Sequence, residues 1–353
     1  MNKKLGLFPV TREQCALIRY KLLLKEYNLS MAFVPKFLLL DGQDVSCLDG
    51  GTDVDFYLTD YNKDKLSTCD VIYLDYSQHL QEIQIYKDVI ADAQTMGIEI
   101  IYSDTLANMF GIQKTELLDI KNYEDNQLYD LTCPVITILS QGEGTDQLAT
   151  ELALAKHFLS KGLNVLSIGS SNICGFFGFQ YLLNLLNTQD TYYTSVIKLN
   201  HHVKELADAQ MADLVIISSP HAIMRYNNQI LLGLGVMPSI LGNAIQSDLT
   251  VLCMYYAKYT EDYLDGMSNY CNFKFGCPVD VFSISNTYVE PDQTTNMRTL
   301  SHFDLDSNFV KSSLEYEIKS AEHNLFNPLD DISIDNLCSK VELILTGNVK
   351  NMK

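Results

Sequence analysis

The stretch PVITILSQGEGTDQLATELALAKHFLSKGLNVLSIGSS, residues 134–171, decides the fold. Val135 to Leu139 is a short apolar run rich in β-branched residues, the pattern of a buried strand. Ser140 to Asp146 is a small, polar, glycine-containing turn. Gln147 to Ser160 then carries Leu148, Leu152, Ala155 and Leu159 at helical spacing, and Gly162 stops the helix. Leu163 to Ile168 is a second apolar strand, ending in Gly169-Ser170-Ser171. A strand, a Gly-rich turn, a helix and a strand predict a right-handed crossover within a parallel sheet.

The turn is where chemistry belongs. A Gly-rich turn that feeds a helix offers free backbone N–H groups and a positive dipole end, which suit a phosphate or a carboxylate. The layout resembles the P-loop of deviant Walker-type ATPases, with a closing Lys161-Gly162 before the next strand. A complete P-loop reads G-x-x-x-x-G-K-[ST], with Lys on the β/γ-phosphates and a hydroxyl on Mg²⁺. In that register the Lys position holds Gln147 and the hydroxyl position holds Leu148, while Thr145 and Thr150 fall out of step. Glu143 and Asp146 add negative charge to the turn. Three readings stand: an ordinary βαβ turn, a retained nucleotide or anion site, and active phosphoryl transfer, against which the missing Lys and hydroxyl count.

The chain of 353 residues has room for two domains with real cores. Its net charge of −19 argues against a nucleic-acid surface, which needs Lys and Arg on phosphates, and against an anionic membrane. The same field would steer a basic partner toward it. Met1 to Val10 starts like a signal peptide but is cut short by Thr11-Arg12-Glu13, and nothing reaches the roughly 18 apolar residues of a membrane span. A cytoplasmic location is the expectation. The nine cysteines are scattered without a C-x-x-C pair, so no zinc or iron–sulfur spacing exists and no metal is expected. The Asp-rich segment around Asp41 to Asp55 lacks the EF-hand pattern.

Around this unit the chain alternates. Strands are predicted over Lys4–Pro9, Leu29–Pro35, Asp70–Asp75 and Ile98–Tyr102, and helices over Arg12–Tyr27 and Leu80–Met96. The alternation predicts a Rossmann- or flavodoxin-like doubly wound domain over residues 1–105. At the carboxyl edge of its sheet stand Thr11-Arg12, Asp75 and Ser103-Asp104, read as loop-capping residues. Residues 106–132 are a polar, partly helical connection, and 133–353 form a P-loop-like α/β domain. There Gly175–Leu186 and Glu261–Asn272 are predicted helices, Asp213–Ser219, Leu249–Tyr255 and Pro278–Ile284 strands, 287–311 loop, and Leu337–Leu345 part of a C-terminal helix. Cys174 sits at the start of the helix expected after it. Adjacent His201 and His202 diverge on a helix and cannot chelate one metal. His221 leaves the carboxyl end of a central strand, so the loops at 140–146, 169–174 and 220–224 converge on one edge.

Several further marks go together: S-Q-G-E-G-T-D-Q at 140–147, L-S-I-G-S-S-N-I-C-G-F-F-G-F at 166–179, L-N-H-H-V-K at 199–204, A-D-L-V-I-I-S-S-P-H-A-I-M-R-Y-N-N at 212–228 and F-K-F-G-C-P-V-D at 273–280. In these the chain resembles the bacterial peptide maturation system proteins, encoded beside ribosomally made, modified peptides. Pro220-His221-Ala222 departs from the -P-G-G- type segment expected after the central strand. The resemblance implies an accessory role with a precursor peptide, a radical SAM enzyme and an acyl-carrier-related protein as partners, and a nucleotide or anion, ATP or GTP being the candidates, held between two α/β domains. The expected site has Gly142, Gly144 and Thr145 holding the anion through their backbone, Ser170 and Asn172 orienting it, and His201 or His221 as polar contact or acid/base. The alternatives are an ATP- or GTP-dependent ligase or kinase-like enzyme with an unusual loop, and a non-catalytic scaffold.

Overall fold

A computed structural model describes residues 2–77, 80, 82–112, 126–187, 189–318 and 323–351. The chain divides into two compact units, one of Met1–Asp49, Asp53–Glu116 and Gly175–Gly178, the other of Gly50–Thr52, Leu117–Cys174 and Phe179–Lys353. Both are doubly wound α/β structures on parallel sheets.

In the first unit β1 (Lys3–Phe8), α1 (Arg12–Arg19), β2 (Tyr27–Val34), β3 (Leu58–Asp60), α2 (Lys63–Leu66), β4 (Val71–Leu74), α3 (Ile83–Met96), β5 (Glu99–Tyr102) and α4 (Asp104–Met109) follow in order. The sheet runs β3-β2-β1-β4-β5. Val71 to Leu74 is buried throughout, as expected of a strand covered on both faces. Phe8, Phe33, Leu74 and Tyr86 anchor the core on one of those faces. The helix expected from Arg12 to Tyr27 ends at Arg19 and gives way to a short 3₁₀ turn at Lys21–Leu23. Cys15 and Ile18 are buried, but Leu22 is 89% exposed, because the chain must turn there to enter β2.

The second unit carries β6 (Val135–Ser140), α5 (Gln147–Ser160), β7 (Val165–Gly169), β8 (Gln180–Tyr181), α6 (Tyr192–Gln210), β9 (Leu214–Ser218), α7 (Val236–Ala244), β10 (Leu249–Met254), α8 (Glu261–Phe275), β11 (Val281–Ile284), β12 (Thr287–Val289), α9 (Pro291–Met297), β13 (His302–Asp304), α10 (Ser307–Ile318), β14 (Leu325–Phe326) and α11 (Asp331–Asn351). Its seven-stranded sheet runs β14-β11-β10-β6-β9-β7-β8. β6 is central, with Ile138 between Val251 on β10 and Ser218 on β9. The chain leaves β6 for β7 on one side and β9 for β10 on the other, so the order of strands reverses beside β6 and the crevice opens at the end of that strand. Apolar side chains of α6 and α7 cover the β7–β9 part of the sheet, and those of α8 and α10 the β10–β11 part.

Two expectations are corrected here. The segment Gly175–Leu186 is not a helix: it forms 3₁₀ turns at Asn172–Phe177 and Leu182–Leu185, with β8 between them pairing against β7. Gly178, at φ +72°, breaks the run after Phe176-Phe177. Residues 287–311 are not a plain loop, since β12 and β13 pair antiparallel, Thr287 against Asp304 and Val289 against His302, a long-range pairing that a local window does not see. In α5 the expected Leu148, Leu152 and Ala155 are buried, together with every residue between them, while Leu159 is 39% exposed. The acidic centre of the 106–132 connection lies outside the described residues. Among the described residues no helix is long and apolar enough to cross a membrane.

Candidate functional site

The β6–α5 loop is built from its carbonyls outward. Gly142 O accepts from Thr145 Oγ1 at 2.9 Å, Glu143 O from Tyr255 Oη at 2.8 Å, and Gly144 O from Thr287 Oγ1. In a trans peptide the C=O of one residue and the N–H of the next point opposite ways. Fixing three successive carbonyls on hydroxyls therefore turns the N–H groups of Glu143, Gly144 and Thr145 away from those hydroxyls. None of the three meets an acceptor among the described residues. They stand beside the first turn of α5, whose N–H groups have no intrahelical partner.

The three hydroxyls come from separate places. Thr145 belongs to the loop, Tyr255 follows β10 and Thr287 opens β12, and all are buried. Burial pushes the Tyr255 phenol up, so it remains a donor at neutral pH. Gly142 is required by close approach: a Cβ there would lie 2.3 Å from Tyr255 Oη. Gly144 is required by conformation, at φ +78°. Gln141 adds a second brace, since its Oε1 accepts from the Tyr255 N–H at 3.2 Å and its Nε2 reaches Tyr263 Oη at 3.3 Å. Tyr263 in turn stacks on Tyr259, with ring centroids 5.0 Å apart.

Two positions bear on phosphoryl transfer. Gln147, in the slot of the P-loop Lys, donates its amide to Ser219 O at 2.8 Å and to Ile138 O at 3.3 Å, tying α5 to the ends of β6 and β9. Leu148, in the slot of the Mg²⁺ hydroxyl, is buried. The negative charge of the loop is partly redirected. Asp146 takes a left-handed conformation at φ +54° and its Oδ2 accepts from Asn286 N–H at 3.3 Å. Glu143 is exposed, and its carboxylate acts on His221.

His221 follows β9 and lies beside this loop. Gly233 passes so near that a Cβ on it would come within 2.9 Å of His221 Cβ. This partial desolvation pulls the imidazole below its ordinary pKa, opposed by Glu143. The structure thus gathers Gly142, Gly144, Thr145 and His221. Ser170 and Asn172 sit one strand further out, after β7, with β9 in between. His201 is elsewhere: its Nε2 bonds to Gln127 O at 2.7 Å and its ring meets Tyr129 edge-on, on the segment leading into the start of β6. The loop follows the other end of that strand, roughly 20 Å along.

Glu151 is a residue that the periodicity passed over. It lies one turn into α5, fully buried, and burial pushes its carboxyl up to about 7. It accepts from Cys174 Sγ at 3.3 Å and from Ser170 N–H at 3.4 Å, joining α5 to the loop after β7. Cys174 is therefore a buried thiol on an acid in a 3₁₀ turn, not the first residue of a helix. A Cβ on Gly169 would fall 2.6 Å from Glu151 Oε1. A carboxylate inside the mostly apolar run Leu148 to Ala155 was the signal in the sequence. Tyr255 and Thr287, more than a hundred residues from the loop, left none.

The fold and this loop define a class: a two-unit, doubly wound α/β protein whose central strand opens through a glycine turn onto a helix N-terminus. Among solved structures the chain is similar to a DUF1611 family protein from Anabaena variabilis ATCC 29413, at a TM-score of 0.62 and 11% identity, covering 97% of this chain and 99% of that one. The likeness is one of fold. Far weaker matches are a pseudomurein peptide ligase type C from Methanothermus fervidus (TM-score 0.28, 11% identity, 80% of this chain and 44% of that one) and the signal recognition particle receptor FtsY from Elizabethkingia anophelis (TM-score 0.26, 13% identity, 78% and 81%). No family model and no curated protein matches the sequence.

Proposed function

We propose that the second unit binds an anion, the phosphate of a nucleotide such as ATP or GTP, in the β6–α5 loop, without transferring its phosphoryl group. The observation that carries this reading is the fixing of three successive loop carbonyls on Thr145, Tyr255 and Thr287, with the following N–H groups left for a ligand. Gln147 and the buried Leu148 support binding without turnover, because neither supplies the cation or the Mg²⁺ ligand that the transfer needs. The resemblance to peptide maturation system proteins supplies the setting: an accessory protein for a ribosomally made, modified peptide, working with the precursor peptide, a radical SAM enzyme and an acyl-carrier-related protein.

Calorimetry with ATP, GTP and inorganic phosphate, with and without Mg²⁺, tests it. Binding that is indifferent to Mg²⁺ and unaccompanied by hydrolysis is expected, weakened about tenfold in Tyr255→Phe, which frees the Glu143 carbonyl. Absence of binding for all three ligands at millimolar concentration removes the proposal. Mg²⁺-dependent hydrolysis lost in Gly144→Glu returns the chain to the ligase or kinase-like enzymes. Stable co-purification with a neighbour protein and no small-molecule binding supports the scaffold. His221→Ala should abolish peptide maturation with the fold intact, and normal product yield would exclude that histidine.

A further inference from the structure

The first unit has a crevice of its own. β1 and β4 are neighbours, yet the chain leaves β1 toward β2 on one side and β4 toward β5 on the other. Ligands of such sheets sit past the carboxyl ends of the strands at that switch. Thr11 and Gln14 reach it from the β1–α1 connection and the first turn of α1, and Asp75 directly follows β4. Asp75 Oδ2 accepts from Thr11 Oγ1 at 3.1 Å and from Gln14 Nε2 at 3.0 Å, and Oδ1 accepts from the Tyr76 N–H at 2.8 Å. The Ser103 hydroxyl donates to the carboxylate as well; all these donors are neutral, and among the described residues Asp75 has no ion pair. Desolvation pushes its pKa up in spite of them, the mark of a negative charge short of compensation.

Gln14 supplies a second, independent sign. Its side chain is fully buried, and its Oε1 has no hydrogen-bond partner. The amide cannot be turned over to cure this, because only its NH₂ can donate to the carboxylate. Oxygen and nitrogen share one carbon, so the orphaned Oε1 lies within reach of a group that touches Asp75 Oδ2. The crevice thus presents two adjacent acceptors, one charged and one unpaired. A hydroxyl has one donor for them, and water has two but no charge. An ammonium has three donors and the missing positive charge. A divalent ion needs more oxygen ligands than one carboxylate and one amide provide, and the described residues hold no cluster of three or more His, Cys, Asp or Glu able to bind one. Asp75 is only partly buried, so a group can enter at its carboxylate, and Gln14 Oε1, which has no exposed surface, is reached when the Gln14 side chain shifts toward that group.

We propose that this crevice binds a primary ammonium group, which donates one N–H to Asp75 and another to Gln14 Oε1. A peptide amino terminus and a lysine side chain share that chemistry, and the chain's charge of −19 draws either toward it. This site is separate from the loop of the second unit and does not rest on the anion-binding reading.

The test follows the Gln14 side-chain NH₂ signal of ¹⁵N-labelled full-length protein by NMR. Methylammonium should shift it saturably, and tetramethylammonium, with the same charge and no N–H, should not. Glycinamide and Nα-acetyl-lysine amide then separate the two sources, the tighter one naming the group. Asp75→Asn should weaken methylammonium at least tenfold. No saturable shift with methylammonium, or an equal one with tetramethylammonium, overturns the proposal, as does unchanged binding by Asp75→Asn. The wild-type titration decides the matter alone should that variant not fold.

Discussion

Two glycines in one loop are required for different reasons, and the difference is measurable. In Gly142→Ala the new methyl meets Tyr255 Oη, which must swing aside and release the Glu143 carbonyl. Overpacking and the lost hydrogen bond together should cost about 2–3 kcal/mol. In Gly144→Ala the nearest atom stays 3.6 Å away, so only the left-handed backbone is strained, by about 1 kcal/mol. Urea unfolding of both variants checks the order. Glu151 gives a pH dependence. Its folded-state pKa, about 7, lies above the ordinary 4.5. The folded protein then holds a proton that the unfolded chain releases, and stability falls as pH rises between those values. The loss is roughly 3 kcal/mol once pH passes 7. Glu151→Gln keeps the shape and cannot ionise, so its stability advantage over the wild type should grow by about that much from pH 5 to pH 8. A constant difference across that range would show that Glu151 is already ionised in the fold.

At the scale of elements, β6 and α5 were legible because their residues argue locally. β-branched residues, a glycine turn and helical spacing mark both, and α5 begins at Gln147 and ends at Ser160 as expected. The role of the helix was not legible. Gln147 looks like a lost lysine in the sequence, yet in the fold its amide ties α5 to two strand ends. Gln147→Lys keeps a donor at that place and adds the missing charge, so its affinity for ATP should rise about tenfold with little change in melting temperature. Calorimetry of the two proteins side by side reads this, and equal affinities would mean that the ammonium points away from the loop. The 175–186 segment failed as a helix for a reason of the same scale. Glycines at 175 and 178 divide it, and the open edge of β7 takes Gln180-Tyr181 as a strand.

The whole molecule carries a charge of −19, and an anionic ligand must approach through that field. Association of a fluorescent ATP analogue, followed by stopped flow, should therefore quicken severalfold as salt is raised from about 0.01 to about 0.15 M, where the screening length falls from about 30 to about 8 Å. Slowing instead would mean that the helix terminus and loop amides dominate locally. The alternation of apolar strands and helices determined, from sequence alone, that the chain is α/β with parallel sheets, and the glycine turn marked where an anion would be sought. Both properties follow from spacing along a few consecutive residues. The tertiary structure decided what no window contains: that Tyr255 and Thr287 hold the carbonyls of the 142–144 loop, that His221 joins this loop while His201 packs on Gln127 and Tyr129, and that Gln14 leaves an oxygen unpaired beside Asp75. Hydrogen bonds act over about 3 Å whatever the sequence separation, so only the order of strands in the sheets could bring these groups together.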